Sequence, residues 1–313
     1  MIEVRGLTKV YRGNRAVDDL TFTAPAGRVT GFLGPNGAGK TTTMRMVLGL
    51  ERPTAGTALV DGAPYAASSA PMRSVGALLD TAGIPAGITA AAHLGWLARA
   101  GNLPGRRVGE VLETVGLADV ARRRVGDFSL GMRQRLGLAA ALLGDPGTLV
   151  LDEPVNGLDP EGVRWIRTFL RRLAAEGRTV LLSSHLMSET AETADRVVVI
   201  GAGRLVADTT VDELTGGGAH GRVRVGCPRP EALAAALTDH GWSVEPAASG
   251  GTGELIVTGT DPAAVGEVAA RYGIALHALT SERTSLEDVF MRLTGDSAGH
   301  RFAPAGAVTE GER

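Results

Sequence analysis

The chain has 313 residues, 44% hydrophobic and 21% charged, which leaves room for two globular domains, one of them with a substantial core. A net charge of −2 gives no general attraction for nucleic acid or anionic lipid, and no nucleic-acid partner is expected. The single cysteine, Cys227, excludes an intramolecular disulfide framework and fits a reducing compartment.

Residues 2–4 predict a strand. Residues 1–9 carry charges where a secretory signal needs an apolar core, so no signal is expected. Residues 28–33 predict a second strand, running directly into a glycine-rich loop, and 41–50 an apolar helix closed by Gly49 and Pro53. A short strand and turn follow at 57–62. Residues 89–124 then turn helical, with Leu94 and Leu97 on one face and Val108, Val111, Leu112 and Val115 on another. Two apolar stretches, 29–47 and 81–98, are too interrupted by charge, glycine or proline to supply the roughly 20 apolar residues of a membrane span. Work at a membrane therefore requires a partner that provides the spanning part.

A helix is predicted over 132–143, a buried strand over 148–152, and a further helix with Val163, Ile166, Phe169 or Leu170, and Leu173 on one face. Strands follow at 179–184 and 196–201. Strands alternating with helices imply an α/β fold with a largely parallel sheet. The glycine-rich stretch 215–219 predicts a linker. Beyond it the order is strand 222–226, helix 231–240, strands around 242–245 and 254–258, helix 262–272 and strand 274–279. That order matches a small α+β module of ferredoxin-like type, followed by a helix at 285–293. An extension without a core of its own is the alternative. The expected organisation is a domain over 1–215 with a helical subdomain at about 89–143, a linker at 216–221, an accessory module over 222–295, and a Gly-, Ala- and charge-rich tail, 296–313, expected to be disordered.

Residues 34–41, Gly-Pro-Asn-Gly-Ala-Gly-Lys-Thr, fit G-x-x-x-x-G-K-[ST] between a predicted strand and a predicted helix. Such a loop turns successive backbone N–H groups inward around phosphate oxygens, and the helix N-terminus adds positive partial charge. Gly34, Asn36, Gly37, Ala38, Gly39 and Thr42 would cradle ATP, Lys40 would pair with the β- and γ-phosphates, and the Thr41 hydroxyl would ligate Mg²⁺. Lysine occurs only at Lys9 and Lys40, so its presence in this loop is informative. Asp152 ends an apolar strand and precedes Glu153; the first acid suits the metal shell and the second the polarisation of an attacking water. Read alone, that pair could equally be an exposed turn.

Taken with the strings GPNGAGKTT (34–42), FSLGMRQR (128–135), LVLDEPVNGLDP (149–160) and SSHLMSE (183–189), residues 1–215 resemble the nucleotide-binding subunit of ATP-binding-cassette (ABC) transporters, within the bacterial drug- and antibiotic-export branch. The string SLEDVFMRLTG (285–295) extends the resemblance over nearly the whole chain. It implies a P-loop NTPase domain of ABC type with a helical subdomain. It further implies that Tyr11 stacks on adenine, that Glu153 is the general base, and that His185 contacts the γ-phosphate. Ser129, Gly131 and Asp159 would meet the ATP of an opposing subunit, in a head-to-tail pair holding two ATP molecules. The implied partners are that second copy and a multi-spanning permease, which would hold the chain at the cytoplasmic face of the membrane and dock beside residues 80–105.

Read without the family, Tyr11 could be a packed tyrosine, Ser129 a plain helix cap, and Asn156-Gly157 a turn. Three positions depart from the family pattern. Asp80 stands where glutamine is usual and would reach Mg²⁺ or water differently, or face solvent; Phe128, Leu130 and Met132 alter the signature; Val155 replaces a small polar residue. The implied function is an ATPase subunit energising an exporter. The alternatives are a soluble ABC ATPase in nucleic-acid or translation processes, and an ATP sensor without useful turnover.

Overall fold

The computed structural model describes residues 1–79, 83–184, 187–215, 221–247 and 253–282. Asp80, His185, residues 216–220 of the expected linker, the expected helix 285–293 and the tail 296–313 lie outside the described residues.

The first strand is longer than expected. β1 (Ile2–Tyr11) turns through Arg12 and Gly13, both at positive φ, into β2 (Asn14–Ala24), an antiparallel hairpin that the sequence reading missed. Its apolar positions lose the period of two between Val17 and Leu20, where Asp19 at φ 52° absorbs an extra residue. With β4 (Ala55–Val60) these strands form a sheet in the order β2-β1-β4, so the strand expected near 57–62 belongs to this antiparallel sheet.

The larger sheet runs β5 (Val75–Leu78), β6 (Thr148–Asp152), β7 (Thr179–Ser184), β3 (Val29–Leu33), β8 (Arg196–Gly201) and β9 (Arg204–Thr210). All its pairings are parallel except β8–β9. Val150, Leu181 and Val198 face the core shared with the first sheet, where Phe22 stacks on Phe32. Their neighbours Leu149, Leu151, Val180, Leu182, Val197 and Val199 face the opposite core. Burial on both faces explains why these strands read as continuous apolar runs. β9, by contrast, is a half-exposed edge rich in Asp, Arg and Thr, and carries no such run.

The helices of this part are α1 (Lys40–Val47), α2 (Pro71–Ser74), α3 (Ala90–Ala100), α4 (Arg106–Thr114), α5 (Leu130–Leu142), α6 (Pro160–Ala175), α7 (Met187–Thr193) and α8 (Val211–Leu214). The helical stretch expected at 89–124 is two helices, because Gly101, Asn102 at φ 50°, Pro104 and Gly105 interrupt it. Leu94 and Ala98 of α3, Val111 and Leu112 of α4, and Leu136 and Leu138 of α5 enter one core.

From residue 222 the order is β10 (Arg222–Gly226), α9 (Pro230–Asp239), β11 (Ser243–Pro246), β12 (Glu254–Thr258), α10 (Pro262–Arg271) and β13 (Ala278–Glu282). The antiparallel sheet has the order β11-β12-β10-β13, the arrangement expected of a ferredoxin-like unit. Val223, Val225, Leu233, Leu237, Val257 and Val265 belong to a cluster drawn from this part alone. The last strand lies later than the expected 274–279. Ile274 closes α10 instead, donating its N–H to the Ala269 carbonyl at 2.9 Å and burying its side chain.

Candidate functional site

β3, buried along its length, delivers the chain into the glycine-rich loop, and α1 starts on Lys40. Gly39 sits at φ 102°, and a Cβ there would lie 2.5 Å from the Ala16 carbonyl oxygen. Both backbone conformation and space therefore require glycine. The loop is backed by the β8–β9 turn, whose Gly203 N–H donates to the Ala38 carbonyl at 3.1 Å and whose Gly203 carbonyl accepts from Asp18 N–H at 2.9 Å. Asp18 is itself held by Arg15 at 2.5 Å and Arg204 at 2.6 Å. The hydrogen bond from Arg15, followed by that from Arg204, keeps its carboxyl below the usual carboxylate range against the opposing effect of burial.

The Lys40 ammonium is buried and donates to the carbonyls of Gly34 at 2.6 Å and Pro35 at 3.3 Å. Burial lowers its pKa, while the carboxylates of Glu153 and Asp152 pull it upward. The Thr41 hydroxyl donates to Asp152 Oδ2 at 2.7 Å, joining the first turn of α1 to the end of β6. Ser183, at the end of the neighbouring strand β7, donates to Asp152 Oδ1 and accepts the Glu153 N–H at 3.0 Å. Asn36, Gly37, Gly39, Lys40, Thr41, Thr42, Asp152 and Glu153 thus line one open cleft of about 240 Å³, with Ala16 of β2. Its lining combines backbone N–H groups, one cation, hydroxyls and two carboxylates, a set that can hold a polyphosphate and orient water beside it.

Six expected site residues are not in this lining: Gly34 and Ala38, which belong to the loop itself, and Tyr11, Ser129, Gly131 and Asp159. Tyr11 is 40% exposed, with the Lys9 ammonium 4.9 Å from its ring centroid. Burial first, and then the hydrogen bond and charge of Glu51, push its hydroxyl above its ordinary pKa. Ser129 caps α5, accepting from the Met132 N–H at 3.2 Å, and Asp159 caps α6, accepting from the Gly162 N–H at 2.8 Å. The two caps are neighbours: a Cβ on Gly131 would lie 2.9 Å from the Gly157 carbonyl oxygen, and one on Gly157 would lie 2.4 Å from the Leu130 side chain. Gly131 and the 156–159 loop therefore lie side by side, with Ser129 at the cap of the same helix, and none of them lines the cleft of the same chain. Asp80 and His185 fall outside the described residues.

Sequence reasoning named neither Ala16 nor Gly203 as supports of the loop, and gave Ser183 and Gln134 no individual roles. Ser183 was legible only as part of the string around His185. Gln134, whose amide donates to the Glu153 carbonyl at 2.9 Å, stood inside FSLGMRQR.

A family model described as ABC transporter matches residues 17–156, and one described as a domain of unknown function matches residues 221–287. The chain is similar to the daunorubicin/doxorubicin resistance ATP-binding protein DrrA of Streptomyces peucetius, with 35% identity over 99% of this chain and 97% of that protein. It is similar also to the bacitracin transport ATP-binding protein BcrA of Enterococcus faecalis, with 42% identity over 68% of this chain and 70% of that protein. Among solved structures, an ATP-binding subunit of an ABC transporter aligns with a TM-score of 0.63 and 28% identity, over 68% of this chain and 91% of that one.

Proposed function

This chain belongs to the ABC transporter family of ATP-binding proteins, and on that premise we propose that it binds and hydrolyses ATP to energise export of a drug, an antibiotic or another small molecule through a separate membrane-spanning subunit. The observation that carries the reading is the meeting of Lys40, Thr41, Asp152 and Glu153 in one cleft, with the Thr41 hydroxyl 2.7 Å from the Asp152 carboxylate. The cargo class rests on the relatives, whose names speak of bacitracin transport and of daunorubicin/doxorubicin resistance. Those names lend no support to a soluble role in nucleic-acid or translation processes.

In this reading the loop backbone at Asn36, Gly37 and Gly39 and the N-terminus of α1 receive the phosphates, and Lys40 pairs with the β- and γ-phosphates. The Thr41 hydroxyl and the Asp152 carboxylate are hard oxygen donors suited to Mg²⁺, which when bound neutralises charge on those phosphates. Glu153 accepts the proton of the attacking water. Tyr11 would receive the adenine, His185 would contact the γ-phosphate, and Asp80 would act on the metal or its water.

Ser129, Gly131 and Asp159 complete the ATP site of a second copy of the chain, paired head to tail; that none of them lines the cleft of their own chain supports that assignment. Residues 1–215 form the ATP-binding domain and 222–295 an accessory module, supported by its own hydrophobic cluster. Among the described residues no helix is long and apolar enough to cross a membrane, so the permease partner would hold the chain at the cytoplasmic face.

The test is phosphate release by the purified chain with ATP and Mg²⁺. Glu153→Gln is expected to retain ATP binding, to lower phosphate release by at least about 100-fold, and to accumulate an ATP-bound dimer. Unchanged release would remove Glu153 from the role of base.

A further inference from the structure

Gln134 is the only glutamine in the chain, and it is buried, at 7% exposure, on α5. A long polar side chain is seldom buried without a partner. Its partner is the backbone of the proposed base: Gln134 Nε2 donates to the Glu153 carbonyl oxygen at 2.9 Å. A carbonyl only accepts, so the amide must present its NH₂ there. Glu153 has φ 49°, a left-handed conformation unfavourable for a non-glycine residue unless its surroundings hold it. Both ends of the residue are held. Its N–H is bonded by Ser183 Oγ from β7 at 3.0 Å, and its carbonyl by Gln134 from α5. The direction in which the Glu153 carboxylate leaves the backbone is therefore set jointly by a sheet strand and by the helix that Ser129 caps.

We infer that Gln134 is a positioning residue for Glu153: its amide holds the strained backbone of the base, so the placement of the base is set by the same helix that presents Ser129 and Gly131 to the second subunit. The inference rests on the reading of Glu153 as the base. It also gives a physical reason for a polar residue in the interior of α5, where a leucine would otherwise extend the core. No covalent step is assigned to Gln134; it acts only by fixing geometry, and small misplacements of a catalytic group carry large rate penalties.

The experiment is Gln134→Met, which keeps the length and volume of the side chain and removes the donor. With ATP and Mg²⁺, kcat is expected to fall on the order of 10- to 100-fold while KM and the ATP dissociation constant stay within about twofold. In the Glu153→Gln background, adding Gln134→Met is expected to leave the ATP-dependent dimer unchanged by size-exclusion chromatography. That second readout separates positioning of the base from damage to the signature surface. If Gln134→Met does not fold, Gln134→Leu serves the same purpose, since it also lacks a donor and buries no charge.

An unchanged kcat overturns the inference. So does a loss of ATP affinity or of the trapped dimer in proportion to the loss of rate, because Gln134 would then be supporting the fold or the signature. An absence of hydrolysis by the wild-type chain is a different result: it overturns the ATPase reading itself, on which the inference depends.

Discussion

Asp18 makes no contact with the cleft, yet the phosphate loop depends on what it anchors. Its backbone N–H bonds Gly203, Gly203 bonds Ala38, and its carboxylate pairs with Arg15 and Arg204 from two strands. Because the folded-state pKa of Asp18 is lowered, its stabilising contribution is fully present above the ordinary carboxylate pKa, near 4, and is lost as pH falls below that value toward the folded pKa. Asp18→Asn is therefore expected to lower the melting temperature at pH 7, and the gap from wild type is expected to close progressively below about pH 4. Thermal melts across pH check both parts; a gap independent of pH would mean that the carboxylate charge is not what stabilises this turn. Lys40 differs in kind: burial depresses its pKa, and the neighbouring carboxylates of Glu153 and Asp152 only partly oppose that shift.

At the scale of an element, α3 carries an anomaly in its interior. His93 is buried, its Nδ1 has no hydrogen-bond partner among the described residues, and burial depresses its pKa. For this group the sign is that stability is present above the ordinary histidine pKa of about 6.5 and is lost as pH falls through the lowered folded-state value. A leucine at this site would remove an unsatisfied polar atom whose burial costs about 1–3 kcal/mol. His93→Leu is accordingly expected to match or exceed wild-type stability at pH 7, by up to about 1 kcal/mol, and to flatten the loss of stability below pH 6.5. Urea unfolding at two pH values measures this. A loss of stability at pH 7 would mean that the ring makes a contact worth more than the unmade bond.

The elements also differ in how legible they were. β3, β6, β7 and β8 are buried on both faces and read plainly as apolar runs. β2 was missed because a bulge at Asp19 breaks its alternation, and β9 because an exposed edge strand needs no alternation. α7 was missed because the segment Met187–Thr193 is short and largely polar. β13 was placed four residues early because Ile274, apolar and β-branched, serves as the stop of α10.

At the scale of the molecule, Gly131 and the 156–159 loop lie side by side, and none of Ser129, Gly131 and Asp159 lines the cleft of their own chain. A monomer would thus hold the parts of two half-sites rather than one whole site, which is why the proposed unit of function is a pair. A second exposed feature concerns the membrane partner. Trp96 is 60% exposed on α3, within the segment expected to dock against it. Large aromatic side chains contribute disproportionately to interfaces. Trp96→Ala is expected to weaken co-purification of a multi-spanning protein from membranes by on the order of tenfold or more, with the phosphate release of the isolated chain unchanged. Equal recovery of that protein with the wild-type and variant chains would place the docking surface elsewhere.

The sequence by itself determined the chemistry available: a phosphate loop carrying one of only two lysines, an acidic pair at a strand end, and the strings that mark the family. These are local patterns, and a short run of residues dictates its own backbone and donors. What tertiary structure decided is which of those residues meet. Thr41 reaches Asp152 because β3 and β6 flank β7 in register, and Gly39 keeps its turn because Ala16 and Gly203 close in behind it. Glu153 is aimed by Ser183 and Gln134, from a strand and a helix that no local pattern connects to it. Such contacts depend on sheet order and helix packing, which arise from the burial of the whole core and cannot be read from spacing along the chain.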